Sequence, residues 1–552
     1  MQPQTNTSPT GGAGTRLGFF IWLPIVIATS VVSGIFIGKH FASPEAVANK
    51  DRKINSVLNL IANDYVDTTN IDELVERAIP SLLENLDPHT AYFTAADLRA
   101  ANEDLQGSFS GIGLTFTTMS DTITVIEVLS GGPSEKVGLM AGDRIITIDD
   151  STFVGQGLTS NDVMRHLRGP RGTTVKLGIK RATSSKLLPF TITRDNITVE
   201  SVDCFYLLDK TTGYVKVNQF GANTYNEFIT ALITLRAQGA KRFVVDLRGN
   251  GGGYMEIAIM MANEFLPSDQ LIVSTRGRYK RDANEFWSDG TGSFANDELV
   301  VLIDEFSASA SEIFAGAIQD NDRGLVVGCR SFGKGLVQNQ FVLADSSAVR
   351  LTIARYYTPS GRCIQKSYKG GKQADYEREL YDRYASGELD SRDSVRVDST
   401  QLFTTGTGRE VYGGGGIMPD IFVPRDTVGV SGYFIDVANH GLLHKYAFHY
   451  VDSHRQWLQA LTDYKEFLRR GPSDQALLED FAAFAATQGV PPRWYYINRS
   501  RALILNNLRA LIARDVWGNS AFYPVYNRDD KTVQAALKAL NKHKAAFPIL
   551  PE

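Results

Sequence analysis

Cysteine is scarce: three in 552 residues, Cys204, Cys329 and Cys363, with no CxxC pair among them. A zinc ribbon and a disulfide scaffold are therefore unsupported. Histidine is nearly as scarce and unevenly placed. The eight are His40, His89, His166, His440, His444, His449, His454 and His543, so none lies between residues 167 and 439. Chemistry carried by that long middle section has no local histidine to use. HExxH is also absent, which excludes a zincin. Neither sign of charge is in excess: 57 Lys and Arg against 61 Asp and Glu leave a formal net charge of −4. That balance gives no reason to expect a nucleic-acid partner. Charged residues at 21% beside hydrophobic residues at 43% argue against global disorder. At roughly 150 residues per domain, the length suggests three or four domains.

Long apolar runs are rare too, but one is present. Residues 1–17 form a polar tail with one charge, Arg16, and no charged residue then occurs from Gly18 to Gly38. That length matches a bilayer and predicts a transmembrane anchor over 18–38. It exceeds the usual apolar stretch of a cleavable signal peptide, although Ala46-Val47-Ala48 also reads as a cleavage site. Lys39, Lys50, Arg52 and Lys53 follow the span, so the positive-inside rule does not favour an outside C-terminus.

Beyond it, 45–105 reads as helical, with apolar residues at helical spacing until Leu86-Asp87-Pro88-His89 breaks the pattern. Thr94 is the candidate cap of the next helix. Residues 106–196 turn β-rich, with glycine turns and one helix over Ser160–Leu167. Residues 197–425 alternate strand and helix, which predicts an α/β core. The charged insert 371–400 reads as a solvated excursion with one short helix. Residues 430–552 read as a helical C-terminal extension.

Ser307-Ala308-Ser309-Ala310-Ser311-Glu312 follows the apolar strand Val300–Ile303 and opens an amphipathic helix. Small residues at such a turn leave a serine hydroxyl exposed, with helix amides available to a developing oxyanion. Ser309 with Glu312 is also a plain capping box, and the two roles are compatible. Gly333-Lys334-Gly335 then precedes a strand. A lysine enclosed by protein loses its proton more easily and can serve as a base for a serine. Gln338, an even number of residues on, would share the strand face of Lys334 and orient its amine. Lys334 is not a P-loop lysine, because GxxxxGK[ST] is absent. Asp246-Leu247-Arg248-Gly249-Asn250-Gly251-Gly252-Gly253 ends a strand in exposed amides and suits an oxyanion hole better than a dinucleotide site. In the β-rich module, the loop Gly111-Ile112-Gly113-Leu114 before an exposed strand could hold a terminal carboxylate while the strand edge pairs with a peptide.

These motifs together resemble the C-terminal processing peptidases, or tail-specific proteases. The resemblance covers roughly 45–425, through LDPHTAYF (86–93), FSGIGL (109–114), GLMAGDRI (138–145), VVDLRGNGGG (244–253), SASASEIFAGAIQD (307–320), SFGKGLVQ (331–338) and GGGGIMPD (413–420). It implies a multidomain α/β protein: a PDZ domain over 106–196 and a ClpP/crotonase-like serine protease core over 197–425. It places the nucleophile on Ser309, the base on Lys334 and the supporting glutamine on Gln338. The oxyanion donors fall on Ala310 and on Gly251 or Gly252, and Asp320 is structural. It further implies that the substrate C-terminus binds at Gly111, Ile112, Gly113 and Leu114 and that the PDZ domain gates the site. No cofactor and no metal are implied. The partners it implies are proteins or peptides with free C-termini, and the location it implies is the periplasm or the cell exterior. The extension 430–552 has no counterpart in the basic plan; an adaptor site, an oligomer interface and a gate all remain open for it. A catalytically silent, membrane-anchored PDZ scaffold is the alternative, as is a crotonase-type acyl-CoA enzyme, which the PDZ module argues against.

Overall fold

The computed structural model describes residues 45–542, apart from 120–121, 130, 156–158, 182–183 and 369–372. The tail 1–17 and the apolar stretch 18–38 lie outside the described residues. Among those described, no helix is long and apolar enough to cross a membrane. The N-terminal unit, up to residue 82, is helical as expected, with helices Glu45–Asp64 and Ile71–Leu83.

The remainder of the chain is a second compact unit. Its β-rich module is one antiparallel sheet in the order Leu114–Met119, Thr122–Val128, Arg144–Ile148, Thr174–Lys180, Leu188–Thr193. Helix Ser160–Leu167 lies where the sequence put it, capped reciprocally by Thr159 and Asp162. Its Val163 and Leu167 close a core with Ile123, Val125, Ile145 and Val175.

The central sheet has six strands in the order Val202–Leu207, Thr212–Val217, Arg242–Asp246, Glu298–Ile303, Leu325–Gly328, Ile421–Phe422. All neighbours after the first pair are parallel. Parallel strands are covered on both faces, which explains runs such as Leu299-Val300-Val301-Leu302-Ile303. The period of two divides them. Leu299, Val301 and Ile303 pack toward helices Thr224–Ala237, Met255–Asn263 and Ala310–Asp320. Val300 and Leu302 face the opposite layer. A second, antiparallel sheet joins Ala91–Phe93 to Ala348–Tyr357, which also pairs with Leu336–Val342 and Leu271–Gly277.

One expectation needs correction. The insert 371–400 is solvated only in part. Its helix Gln373–Ala385 is longer than expected, and Tyr376, Arg383, Glu388 and Leu389 are buried. Arg383 donates to the carbonyls of Arg330 (2.7 Å) and Ser331 (3.1 Å). Glu388 accepts from Arg330 at 2.6 and 2.7 Å. Arg383 and Glu388 pair with each other and with Arg330 against the loop before Lys334, while Asp375, Glu377, Arg378, Asp382 and Arg392 stay exposed. The C-terminal extension is helical, as expected. Its helix Lys531–Asn541 buries Val533, Ala536, Ala539 and Leu540 against Tyr214, Val244, Val300 and Leu302. It is the second covering layer of the central sheet. The preceding helices form a core of their own, around Tyr446, Phe481 and Leu508.

Candidate active site

Strand Glu298–Ile303 delivers the chain to the carboxyl edge of the central sheet. A short turn then places Ser309 at the start of helix Ala310–Asp320, with φ 57° and ψ −114°. Positive φ is costly for a residue with a Cβ and persists only when its surroundings impose it. Here they do. The Ala308 amide and the Ser311 hydroxyl donate to the Asn250 carbonyl at 3.0 and 2.9 Å. The Ser307 hydroxyl donates to the Leu247 carbonyl at 2.9 Å. The Ser309 amide donates to Glu312 Oε2 at 2.9 Å.

Glu312 does more than cap. Wholly buried, it also accepts the Ser331 hydroxyl (2.5 Å) and the amides of Gly333 (2.7 Å) and Lys334 (2.8 Å). One carboxylate thus joins the backbone of the serine turn to that of the lysine loop. Burial pushes its pKa up to about 7, and the four donated hydrogen bonds oppose that rise.

Ser309, Lys334, Gln338, Gly251 and Gly252 all line one cavity of about 670 Å³. Lys334 Nζ donates to Gln338 Oε1 at 3.3 Å. That contact does not arise from the pleat, as the sequence had suggested: Lys334 precedes strand Leu336–Val342, and the register shifts between Val337 and Gln338. The Gln338 amide donates in turn to the His89 carbonyl. Burial lowers the lysine pKa, helped by the charge of Arg350 and opposed by Glu312 and Asp87.

The glycine run meets the serine turn at contact distance. Gly252 has φ +105°, and a Cβ built on it would lie 2.8 Å from Ser309 Cβ and 3.0 Å from the Ala310 nitrogen. Its amide donates to Asn250 Oδ1 at 2.9 Å. Gly251 lines the cavity and is open: a Cβ added there would meet nothing within 4 Å. Ala310 is buried at the first position of the helix.

The chain is similar in sequence to known proteins. The chain is 37% identical over 319 residues to a carboxy-terminal-processing protease of Bartonella bacilliformis, covering 57% of this chain and 72% of that one. It is 30% identical over 389 residues to the carboxy-terminal processing protease CtpA of Bacillus subtilis, covering 70% and 82%. The peptidase family S41 model matches residues 211–378. The chain belongs to peptidase family S41. It is a serine peptidase of the carboxy-terminal processing kind. A PDZ domain model matches 110–193, and a family of unknown function matches 433–518. Among solved structures, a photosystem II D1 C-terminal processing protease is 26% identical, covering 68% of this chain and 92% of that one at TM-score 0.35. A peptide-bound PDZ domain of a carboxy-terminal protease from Vibrio cholerae is 30% identical, covering 17% and 99% at TM-score 0.16.

In this S41 peptidase the PDZ groove is a cavity of about 620 Å³ lined by Ile112, Gly113, Leu114, Met164, Leu167 and Arg168. Strand Leu114–Met119 ends the strand order of its sheet, and the cavity beside it is also lined by Glu200, Asp203 and Asn519. Gly111 lies beside the groove, paired with Asp195 in the short Ser108–Gly111 ladder.

Several site residues escaped the sequence reading. The Tyr356 hydroxyl contacts the carbonyls of both Ser309 (3.1 Å) and Lys334; nothing in an alternating strand marks it. Asp87 accepts from the amides of His89 (2.9 Å) and Thr90 (3.0 Å) and from the Thr352 hydroxyl (3.1 Å). The LDPHT turn, read as a helix breaker, thereby seats the His89 carbonyl on Gln338. A histidine does reach this neighbourhood, from far outside the 167–439 gap. Its Nε2 is 2.9 Å from the Tyr376 hydroxyl, and burial together with the Lys334 charge brings its pKa down to about 4.

Proposed function

We propose that this S41 peptidase cleaves protein substrates in or near their C-terminal regions by a Ser309–Lys334 dyad, with the substrate C-terminus docked on the PDZ groove. One observation carries the reading: a dehydrated lysine, held by Gln338, faces the same cavity as a serine in a strained turn, and Glu312 binds the backbone of both. Neutral Lys334 takes the Ser309 proton as Oγ attacks the peptide carbonyl. The Ala310 amide stabilises the oxyanion together with one from the glycine run. Because the Gly252 amide is engaged with Asn250, Gly251 supplies that second donor and Gly252 supplies the close approach. The lysine proton passes to the leaving amine, and water, deprotonated by Lys334, releases the acyl group. The reading includes the ClpP/crotonase-like description of the core, an anchor at 18–38 and a catalytic part in the periplasm or cell exterior. It also includes gating by the PDZ domain.

The test compares one unfolded protein bearing a free apolar C-terminal tail with the same protein amidated at its C-terminus. Cleavage of the free-tailed form should be faster by about tenfold, the loss of a charge-assisted anchor in the loop Ile112–Leu114. Fragment masses should place the cuts near the tail. Tail binding without cleavage would instead support the silent scaffold.

The lysine also fixes a pH dependence. Activity requires the neutral amine, so kcat/KM rises with pH through the Lys334 pKa, which lies below the ordinary lysine value of 10.5. Arg350 contributes to that lowering. Arg350→Gln removes a neighbouring positive charge, stabilises the ammonium and should move the rising limb to higher pH. A limb that stays in place or moves down would separate Lys334 from the titration.

A further inference from the structure

We propose that Asp530, in the C-terminal extension, is a positioning residue for the glycine run, acting through Arg248. The extension thereby completes the active site rather than decorating it. The inference rests on the acyl-transfer reading above, in which that run carries an oxyanion donor.

The run is held directly at the Gly249 amide, which donates to Asp304 at 2.9 and 3.0 Å, and at Asn250, whose Nδ2 donates to the Val217 carbonyl at 3.0 Å; the glycines themselves add no side chains, so the flanking Arg248 is a further hold on its placement. Arg248 is the residue immediately before it. Its amide donates to Asp246 Oδ1 at 2.9 Å, and its carbonyl accepts from Lys216 Nζ. Its guanidinium lies between two carboxylates. Asp246 receives Nε at 3.0 Å and Nη2 at 2.6 Å. Asp530 receives Nη1 at 2.8 Å. Asp246 is two residues away on the same strand end, so it can fix Arg248 only relative to its own strand. From outside that strand, Lys216 holds the Arg248 carbonyl and Asp530 holds its guanidinium.

Asp530 is itself held from both sides. Its Oδ1 accepts the amides of Thr532 (2.8 Å) and Val533 (2.9 Å), capping the helix that covers the central sheet. Upstream, Asn527 Nδ2 donates to the Tyr206 hydroxyl at 2.9 Å, and the Tyr523 hydroxyl donates to Asp203 Oδ2 at 2.8 Å. The two oxygens therefore have separate duties: Oδ1 caps a helix and Oδ2 holds the arginine.

That division makes Asp530→Asn a selective probe. Asparagine is as good a cap as aspartate. With its oxygen kept on Thr532 and Val533, its NH₂ group must face Arg248, donor against donor. The helix stays capped while the arginine loses its anchor. We expect kcat to fall about tenfold with KM within about twofold, the split of an interaction that matters in the transition state. Asp530→Glu is a poorer cap and should lose some thermal stability, but it keeps the charge toward Arg248 and should restore most of the rate. Hydrogen exchange of the 249–253 amides should quicken in Asp530→Asn and not in Asp530→Glu, a readout independent of catalysis. Parental kcat together with unchanged exchange in Asp530→Asn would overturn the inference. So would equal losses in both variants. Ser309→Ala, assayed in parallel, separates the two levels: residual cleavage there is a failure of the acyl-transfer reading and does not touch the exchange result.

Discussion

Ser309→Ala and Lys334→Met should each lower kcat by about 10⁴-fold or more, and the double variant should be no worse than the more damaged single. The reason is that nucleophile and base act as one unit. Without the hydroxyl, a neutral amine has no proton to take. Without the amine, the hydroxyl at neutral pH is a poor nucleophile. Removing the second partner therefore removes nothing that still functions. Methionine keeps most of the apolar stem of Lys334 in the cavity, so packing is held while the amine is lost. KM should change little in either variant, because neither group is needed to hold the substrate tail in the PDZ groove. Steady-state cleavage of a free-tailed protein, with intact mass analysis of the products, measures all three. Multiplying losses in the double variant would mean that Ser309 and Lys334 contribute independently, and the dyad would have to be abandoned.

Much of this was legible in the sequence because it is local. The turn at Ser309, the glycine run and the helix Ser160–Leu167 are each set by residues within a few positions of one another. Parallel strands buried on both faces announce themselves as unbroken apolar runs. What stayed hidden is what joins distant segments. Charge density made 371–400 look solvated, yet Arg383 and Glu388 are buried because they neutralise each other against Arg330. Composition cannot distinguish a charge facing water from one facing its counter-ion. The helix Lys531–Asn541 was recognisable as a helix, but the sheet it covers was not, since its partners lie between residues 204 and 327. Asp320 was read as structural, and its ion pair with Arg362 is fully buried. Glu312 was visible as a cap. Its hold on Ser331, Gly333 and Lys334 required knowing that the lysine loop folds back on the serine turn.

Gly252→Ala should lower kcat by about 10³-fold, the scale of losing one oxyanion donor outright. Two effects act on this position, and they can be told apart. The first is backbone conformation: φ is +105°, outside the regions open to L-residues with a Cβ. The second is collision. A methyl group there would meet the Ala308 carbonyl oxygen and Ser309 Cβ at 2.8 Å and the Ala310 nitrogen at 3.0 Å. None of these is the free end of a flexible side chain. All belong to the turn that four hydrogen bonds hold in place, so relief must come by displacing the glycine run or the serine itself. Either movement separates the oxyanion donors from the nucleophile. Gly249→Ala supplies the comparison. Its φ is +72°, yet nothing lies within 4 Å of its Cβ position. It should carry the conformational cost alone, about 1–2 kcal/mol of stability, with a far smaller loss of kcat. Thermal unfolding and steady-state cleavage of both variants decide the matter. If both lose stability alike but only Gly252→Ala loses the rate, close approach of the run to Ser309 is what the reaction needs. If the two rates fall together, strain in the run and not its contact with the serine governs activity, and the assignment of Gly252 to the site would have to be withdrawn.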